Sequence, residues 1–340
     1  MPNPTQGDVH VNRPLTNMAM TYMQNANAFV ADKVFPNLPV QKQSDLYWLL
    51  DRADWNRNQF RKRADSTESA GSGWKQSTTP YFCDVWGLHK DIGDQTRANY
   101  DNFMTPDRAA VAWLTNQAMI CREVTFVSKF FTTGLWTGIS GSAADVTGVA
   151  ASPSTNEVLQ WNDANSNPIE DVETYRINQL KLSFRKPNTA VMGVEVWAKI
   201  KNHSDFIERI KYSSTNTTPA LVLRQALAAL WELDNVYVME SVQVTSAENP
   251  AFETSKTAAF IGGKAMLLAY VNPTPSIDDP SAGYTFSWAG YRNGLAGPAG
   301  QVIRTFRLEA KSTDRVECEM AYDQKITGTD LGTFFASIVA

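Results

Sequence analysis

The stretch from residue 45 to residue 94 constrains the fold more than any other part of the chain, because it predicts a long two-stranded arm. Its first limb alternates Leu46, Trp48 and Leu50 with Tyr47 and Leu49, an aromatic-rich pattern typical of a strand. The returning limb alternates Tyr81, Cys83, Val85 and Gly87 with Phe82, Asp84, Trp86 and Leu88. Since an isolated two-stranded hairpin is only marginally stable in water, the arm has to lie on its own body or on a neighbouring copy, and we favour the neighbour.

Between the two limbs, the sequence predicts a charged and mobile tip. Its charged residues are Arg52, Arg57, Arg61, Lys62, Arg63 and Lys75 together with Asp51, Asp54, Asp65 and Glu68. Residues 69–73 add a short run of serine, alanine and glycine. Three interpretations of the basic cluster stay open: a solvated tip, ion pairs with an acidic patch on an adjacent subunit, or contact with nucleic acid. Nucleic acid ranks third because acidic residues are interleaved.

Composition limits the class of protein. A chain of 340 residues suggests about two domains. With 43% apolar and 19% charged residues, it has the composition of an ordinary globular protein. The formal net charge of −4 supplies no positive field to attract nucleic acid. Duplex binding is therefore not expected to be the main function.

Cysteine usage and hydropathy give three further expectations. Cys83, Cys121 and Cys318 form no C-x-x-C pair, which indicates reduced thiols and argues against a disulfide framework or a zinc site. The first residues lack the basic and apolar regions of a secretory signal. The longest apolar run, residues 257–271, contains two glycines and is shorter than the roughly 20 residues that cross a bilayer. We expect no transmembrane helix and no membrane partner.

Motifs for catalysis are incomplete. Residues 262–264 begin like a phosphate-binding loop but lack both the upstream glycine and the hydroxyl after the lysine, so a strand with a bulge is the better interpretation. Residues 138–141 resemble a nucleophile elbow without its closing glycine. His10, His89 and His203 lie in dissimilar settings without metal-ligand spacing. We expect no catalytic residue, no cofactor and no metal, and an enzyme of unknown chemistry is a remote alternative.

Helix and strand signals outline the rest of the chain. Residues 1–44 predict an extended arm with a short helical piece and apolar anchors at Phe29, Val30, Val34, Phe35 and Leu38. A helix is predicted over 106–131, with Thr105 as a capping hydroxyl and Pro106 at its first position. Residues 132–167 predict a long surface connection with one or two short strands. A second helix is predicted from Pro168 to about residue 186.

Residues 189–271 predict alternating strands and helices, typical of an α/β or α+β subdomain with its own core, and residues 302–339 predict further strands. The predicted strands cover residues 189–194, 236–244, parts of 258–271, 302–310, 315–322 and 333–339. The predicted helices cover residues 197–212 and 219–233, the second with Thr218 as its cap. The strands on either side of residues 312–314 are expected to form a hairpin.

Several phrases occur in the order found in a known family. They are residues 32–36 (DKVFP), 67–69 (TES), 89–92 (HKDI), 94–95 (DQ), 187–189 (PNT), 201–203 (KNH), 207–211 (IERIK) and 285–288 (TFSW). In that order, from about residue 25 onward, the chain resembles the major capsid proteins of tailed bacteriophages, which have the Hong Kong 97 fold. This resemblance implies an α+β fold with an N-terminal arm, an extended β-hairpin loop, a peripheral domain with a long spine helix, and an axial α/β domain.

The resemblance also implies domain boundaries. The N-terminal arm covers residues 1–44, and the hairpin loop covers 45–94. The peripheral domain combines 95–185 with 291–340 and includes the spine helix at 106–131. The axial domain covers 186–290.

By the same resemblance, the expected function is structural and not enzymatic. Hexamers and pentamers of the chain form an icosahedral head shell around double-stranded DNA, which is packaged without sequence-specific binding. A separate scaffolding protein is expected because only about 44 residues precede the hairpin. Further expected partners are a portal at one vertex and decoration or cement proteins. The expected location is the virion, and the host cytoplasm during assembly.

The hairpin loop is where the resemblance implies contact between subunits. The residues expected to make this contact are Trp55, Arg57, Arg61, Lys62, Arg63, Glu68, Trp74 and Lys75. An encapsulin-like compartment shell, which shares the fold and encloses a protein cargo, is the alternative function.

Overall fold

A computed structural model describes residues 24–99, 105–213, 224–248, 256–274, 279–291 and 301–340. Its α-helices are α1 (Ala31–Val34), α2 (Arg52–Trp55), α3 (Asp94–Ala98), α4 (Pro106–Phe130), α5 (Pro168–Ser183), α6 (Val194–Ile200), α7 (Ser204–Ser213) and α8 (Arg224–Leu230). Short 3-10 helices lie at Ala26–Ala28, Glu309–Lys311 and Thr329–Leu331.

Fifteen strands are seen among these residues. The first eight are β1 (Asn37–Val40), β2 (Ser44–Leu50), β3 (Gln76–Phe82), β4 (Asp84–Gly93), β5 (Val146–Val149), β6 (Glu157–Leu159), β7 (Thr189–Gly193) and β8 (Asn235–Met239). The others are β9 (Val242–Val244), β10 (Ala258–Phe260), β11 (Met266–Ala269), β12 (Gly283–Trp288), β13 (Gln301–Leu308), β14 (Thr313–Ile326) and β15 (Gly332–Ala336).

A five-stranded sheet is built around the long strand β14. The strand order is β1-β12-β14-β13, and β4 also pairs with β14. β4, β12 and β13 run antiparallel to β14, whereas β1 runs parallel to β12. Val316, Cys318 and Met320 alternate along β14 and are buried against α4, as the two-residue period of a strand requires.

A six-stranded sheet forms a second layer, in the order β6-β5-β15-β11-β7-β8. β11 is antiparallel to both of its neighbours, and the pairs β5–β6, β5–β15 and β7–β8 are parallel. All residues of β7 and β11 are buried. Continuous burial is typical of strands that are covered on both faces of a sheet.

Helix α4 joins these two layers. Its 25 residues span about 37 Å at roughly 1.5 Å per residue. The helix predicted over 106–131 is observed over Pro106–Phe130, with proline in its first turn. The predicted cap is wrong: Thr105 occupies the N-cap position, but its hydroxyl makes no capping hydrogen bond. Leu114 packs on the five-stranded sheet, whereas Phe126 and Phe130 belong to a cluster that includes β11.

The connection between α4 and α5 contains two short strands, β5 and β6, as predicted. It is not confined to the surface, however, because Trp136, Val146 and Trp161 are almost fully buried. The Trp136 indole donates a hydrogen bond to the carbonyl oxygen of Phe130 over 2.9 Å, and the ring thereby fills the space beyond the end of α4. The surface prediction failed because low charge density was taken as a sign of a loop, although it also fits buried chain.

Helix α5 begins as predicted and ends earlier. The side chain of Asn167 accepts a hydrogen bond from the backbone N–H of Glu170 over 3.3 Å, which caps the helix. Phe184 then adopts the left-handed conformation, with φ of 59°, and ends the helix before Pro187. Such a residue commonly stops a helix by turning the chain away from the axis.

Elements between residues 194 and 269 are shorter and more numerous than the sequence predicts. The helix predicted over 197–212 is two helices, α6 and α7, and the strand predicted over 236–244 is two strands, β8 and β9. For the helix predicted over 219–233, α8 is observed, and residues 214–223 with the predicted cap Thr218 lie outside the described residues. Strand β12 was not predicted.

The bulge predicted at residues 262–264 is wrong, because this segment is a turn that leads from β10 to β11. Gly263 has a φ of 54°, in the left-handed region that favours glycine. A Cβ atom on Gly193 would lie only 1.9 Å from the carbonyl oxygen of Gly263. Two backbones therefore approach each other here more closely than side chains allow.

Both sheets cross the predicted domain boundaries at residues 185 and 290. Strands β5, β6 and β15 come from the predicted peripheral ranges, yet they share a sheet with β7, β8 and β11. Strand β12 comes from the predicted axial range, yet it pairs with β14. The division into peripheral and axial domains stays a prediction, and the strand pairing does not follow its limits.

The N-terminal segment is fastened to α4 by a buried carboxylate. Glu123 accepts hydrogen bonds from the backbone N–H groups of Val30 and Ala31, the shortest being 2.8 Å, and from the Ser241 hydroxyl over 3.3 Å. Beside it, the predicted anchors Phe29, Val30, Val34 and Phe35 are buried. Burial raises the pKa of Glu123, and the backbone hydrogen bonds oppose this only in part.

This raised pKa predicts a pH dependence of stability. A carboxyl whose folded pKa lies above its ordinary value of 4.5 stabilises the fold fully below pH 4.5, and this contribution is lost as the pH rises through the folded pKa. We therefore expect the free energy of unfolding of the wild type to fall, relative to that of Glu123→Gln, over a pH range that extends upward from about 4.5. Urea denaturation across this range measures the difference. Glu173→Gln, at an exposed position, is the control and should parallel the wild type; equal slopes for all three proteins would contradict the prediction.

Candidate intersubunit surface

The predicted arm is a hairpin of β2 and β3. The two strands pair in antiparallel register from Ser44 opposite Phe82 to Leu50 opposite Gln76. Beyond Phe82, the chain enters β4, which pairs with β14 over ten residues of each strand and not with the first limb. The two-stranded part of the arm is thus shorter than predicted, because β14 offers the second half of the returning limb a longer partner in the body.

The inner face of the hairpin rests on the body. Tyr81 stacks on Phe286 with ring centroids 4.7 Å apart and an interplanar angle of 6°, and Tyr47 stacks on the same ring at 5.7 Å. Cys83 is buried beside them, and burial raises the pKa of its thiol to about 12. A thiol with such a pKa is protonated at neutral pH and is therefore a poor nucleophile.

The outer face of the hairpin, which we define as Leu46, Trp48, Leu50 and Phe82, is uncovered. About 64% of the surface of Trp48 and 58% of that of Leu46 are exposed, and Leu50 and Phe82 are about half exposed. These residues point to one side because side chains alternate along a strand and directly opposed residues share a face. A contiguous exposed apolar surface of this kind is typical of a protein interaction site.

Two tryptophans close the neck of the hairpin tip, which we define as residues 51–75. Trp55 and Trp74 approach with ring centroids 5.6 Å apart. The tip begins with α2, which is capped because the Asp51 carboxylate accepts a hydrogen bond from the backbone N–H of Ala53 over 2.9 Å. Beyond α2, residues 56–75 form no helix or strand.

Asp54 organises the charges at the neck. Its carboxylate lies 3.9 Å from Arg57 and 4.0 Å from Lys75, and it accepts a hydrogen bond from the backbone N–H of Lys75 over 3.2 Å. The structure thus brings together four of the predicted contact residues, Trp55, Arg57, Trp74 and Lys75. Asp54 was not among the predicted contact residues, although its place between basic residues was a usable signal.

The other predicted contact residues are not drawn into this cluster. Arg61, Lys62 and Glu68 form no ion pair within the described part of the chain, and Arg63 donates a hydrogen bond to the carbonyl oxygen of Thr67. Phe60, which was not predicted, is 98% exposed. The sequence offered a signal for this residue, because Phe60 is an aromatic residue between Arg57 and Arg61. The role of these residues in contact between subunits stays a prediction.

Few groups join the tip to its own body. In the tip, Arg52 forms an ion pair with Asp330. At the other end of the hairpin, the Asp323 carboxylate accepts a hydrogen bond from the backbone N–H of Phe82 over 3.2 Å. Surface ion pairs contribute about 0–1 kcal/mol. Residues 53–75 make no hydrogen bond or ion pair with the body among the residues that the structure describes.

The described residues contain no cluster of three or more histidine, cysteine or acidic side chains that would hold a metal ion. His203 is buried, and its Nε2 lies 3.2 Å from the Ser166 hydroxyl. His89 on β4 is paired with Glu317 in the register of β4 and β14. None of the described helices is both long and apolar enough to cross a bilayer.

Comparison with known proteins identifies the architecture. No protein-family model matches the chain. The chain is 23% identical over 332 residues to the major capsid protein of Pseudomonas phage JBD67, and the match covers 96% of each chain. It is a phage capsid protein with the Hong Kong 97 fold. The hairpin, the long helix and the two sheets described above are thus parts of a capsid fold.

Solved structures agree with this assignment of the fold. A phage-related protein from Bordetella bronchiseptica RB50 superposes with a TM-score of 0.65, at 17% identity over 93% of each chain. The mature capsid of bacteriophage PhiM1 gives a TM-score of 0.56 at 9% identity, over 94% of this chain and 89% of the other. The α+β capsid fold predicted from the sequence is confirmed.

A second uncovered apolar surface of the capsid protein lies on α5. Ile177, Leu180 and Phe184 follow one another at helical spacing along its outer side, and 55%, 42% and 47% of their respective surfaces are exposed. The opposite side of α5 packs into the body through Ile169, Val172 and Tyr175. The hairpin and α5 of the capsid protein thus each carry an apolar surface that no other described residue covers.

Proposed function

We propose that this structural capsid protein builds the head shell of a tailed phage by forming hexamers and pentamers around double-stranded DNA. The observation that supports this proposal best is the hairpin, whose outer face is apolar and uncovered. A hairpin that is anchored on one side and open on the other is suited to lie across a second copy. In this role, Trp55, Arg57, Arg61, Lys62, Arg63, Glu68, Trp74 and Lys75 contact the neighbouring subunit.

A closed shell favours many modest contacts over a few strong ones. Each subunit that joins a ring or shell makes its next contact at a high effective concentration, so small contact energies multiply on closure. The hairpin suits this need, since it offers apolar side chains and charges on an element that few bonds hold to its own body. The net charge of −4 also fits a shell that encloses DNA without gripping it.

The proposal includes the partners of such a shell. A separate scaffolding protein guides assembly, a portal occupies one vertex, and decoration or cement proteins bind the outer surface. The packaged DNA is held without sequence-specific contacts. The protein is located in the virion, and in the host cytoplasm while shells assemble.

Electron microscopy of the purified protein tests the proposal. Expressed alone or with a scaffolding protein, the chain should form closed shells, hexamers or pentamers. Protein that stays monomeric under both conditions, as judged by light scattering, would contradict the proposed function. Shells that enclose a protein cargo and no DNA in infected cells would instead favour the encapsulin-like alternative, against which the similarity to a phage major capsid protein argues.

The outer face of the hairpin gives a first point-mutation prediction. Changing Leu46 and Trp48 together to serine should leave the folded body intact because both side chains are already exposed. Shell formation should fall by about tenfold or more, since each lost apolar contact is repeated in every subunit. Sedimentation measures the assembled fraction, and circular dichroism checks the fold. Thr78→Ser, directly opposite Trp48, is the control and should assemble like the wild type; normal assembly of the Leu46/Trp48 variant would refute the role of this face.

A further inference from the structure

A long part of the chain is acidic and carries no compensating base. Residues 130–175 contain no lysine or arginine. Their acidic residues are Asp145, Glu157, Asp163, Glu170, Asp171 and Glu173. None of the six forms an ion pair with another described residue, and their polar partners are neutral, such as the Trp161 indole N–H at 3.0 Å from Asp171. Of these six, Glu170 and Glu173 are exposed, and they are therefore free to attract an external cation.

Two of these acids lie directly beside the uncovered apolar surface of α5. Glu170 and Glu173 are exposed in the first half of the helix, and Ile177 and Leu180 follow on the same side. Residues three, four and seven positions apart share one face of a helix. The outer side of α5 thus offers two carboxylates and then an apolar stripe that ends at Phe184.

The hairpin tip has the complementary features. Arg61 and Lys62 have no ion-pair partner among the described residues, and Arg57 has only a distant one, Asp54 at 3.9 Å. Phe60 lies among these cations and is almost completely exposed. The tip therefore presents cations around an aromatic side chain, as α5 presents carboxylates beside aliphatic ones.

We propose that the hairpin tip of one copy binds the outer side of α5 of a second copy. Arg61 and Lys62 lie against Glu170 and Glu173, and Phe60 packs on Ile177 and Leu180. This inference rests on the proposed function and names the surface that receives the hairpin. The occupant is a second copy because no described residue of the same chain covers the α5 stripe, while charges left unpaired on both surfaces complement each other.

Charge reversal tests the pairing. The tip variant changes Arg61 and Lys62 to glutamate, and the helix variant changes Glu170 and Glu173 to lysine. Each variant alone should lower the assembled fraction by about tenfold or more, because like charges then face each other across the contact. The combined variant should recover to within about twofold of the wild type, since opposite charges again meet. Thermal unfolding of each variant verifies that the body is folded.

A matched control excludes a simple effect of net charge. Combining the tip variant with Glu208→Lys and Glu248→Lys, two exposed acids outside α5, restores the same net charge and should not restore assembly. Failure of the α5 combination to recover, or equal recovery with this control, would overturn the proposed contact while wild-type shells still support the proposed function. Absence of wild-type shells would overturn both.

A cysteine pair gives an independent readout. Phe60→Cys together with Leu180→Cys should form disulfide-linked multimers in oxidised shells, because the two positions meet between copies in the proposed contact. The natural cysteines Cys83 and Cys318 are buried and should remain reduced. Shells that contain monomers only under denaturing, non-reducing conditions, or a disulfide formed within one chain, would contradict a contact between copies.

Discussion

Removal of residues 54–75 should abolish shell formation and leave a folded, soluble subunit. Joining Ala53 to Gln76 through Asn-Gly, a sequence that favours tight hairpin turns, keeps β2 and β3 paired. The body should keep its stability because the deleted residues make no hydrogen bond or ion pair with it in the described structure, and Arg52, which contacts Asp330, is retained. We expect the assembled fraction to fall by about a hundredfold or more, since every subunit in a closed shell loses the same contact.

A shorter deletion separates loss of contact from loss of length. Removing residues 69–73 takes away no charged and no aromatic side chain. This control should assemble within about threefold of the wild type, because loop length changes the closure free energy by well under 1 kcal/mol here. Electron microscopy and sedimentation compare the two deletions. Normal shells from the longer deletion would refute the role of the tip, and misfolding of that variant would show that the tip supports the body.

Local patterns of the sequence were sufficient for the hairpin and the long helix. The alternation of Leu46, Trp48 and Leu50 identified a strand, and its direct partner lies nearby in the sequence, so local reasoning found both. Pro106 and the apolar spacing that follows it located α4 to within one residue at its end. Such signals depend on the geometry of one element, which short stretches of sequence specify.

Pairing between distant segments was not accessible in the same way. β4 pairs with β14 across more than 200 residues, and β15 joins a sheet with β11, because of how whole layers pack. The sequences of β4 and β15 do not indicate these partners, since several strands of similar composition were available for pairing. The buried Trp136 and Trp161 were misjudged for the same reason: burial depends on distant partners, and the local sequence around them resembles a loop.

The composition of the hairpin tip was accessible from the sequence, whereas its geometry was not. The charged and aromatic residues of the tip that were predicted to contact a neighbour are all exposed, and their contact role stays a prediction. The sequence did not predict which charged residues of the tip form ion pairs with one another. Asp54 gathers Arg57 and Lys75 at the neck, whereas Arg61 and Lys62 stay unpaired, and this difference depends on how α2 folds back toward Lys75.

The largest loss of stability from a single substitution is expected at Phe130. Its side chain is fully buried at the end of α4, with ring centroids 4.5 Å from Phe35, 5.0 Å from Phe126 and 6.4 Å from Trp136. Phe130→Ala should lower the free energy of unfolding by about 3–5 kcal/mol, the range for a buried phenylalanine that leaves a cavity. Urea denaturation measures this value. Phe306→Ala, at a partly exposed position of β13, is the control and should cost about 1 kcal/mol or less.

The same position predicts an energetic coupling with β12. A Cβ atom on Gly283 would lie 2.9 Å from the Phe130 ring and 3.1 Å from the carbonyl oxygen of Lys325. Gly283→Ala alone should therefore be destabilising by about 1–3 kcal/mol through overpacking. In the Phe130→Ala background, the added methyl group enters the cavity and loses its clash with the ring, so the double variant should be more stable than the sum of the two single effects by about 1 kcal/mol. Simple additivity in this cycle would show that the ring and β12 are not in direct contact. A double variant that is more stable than this sum would show that the Phe130 ring at the end of α4 packs directly on β12, in the sheet from which the hairpin departs.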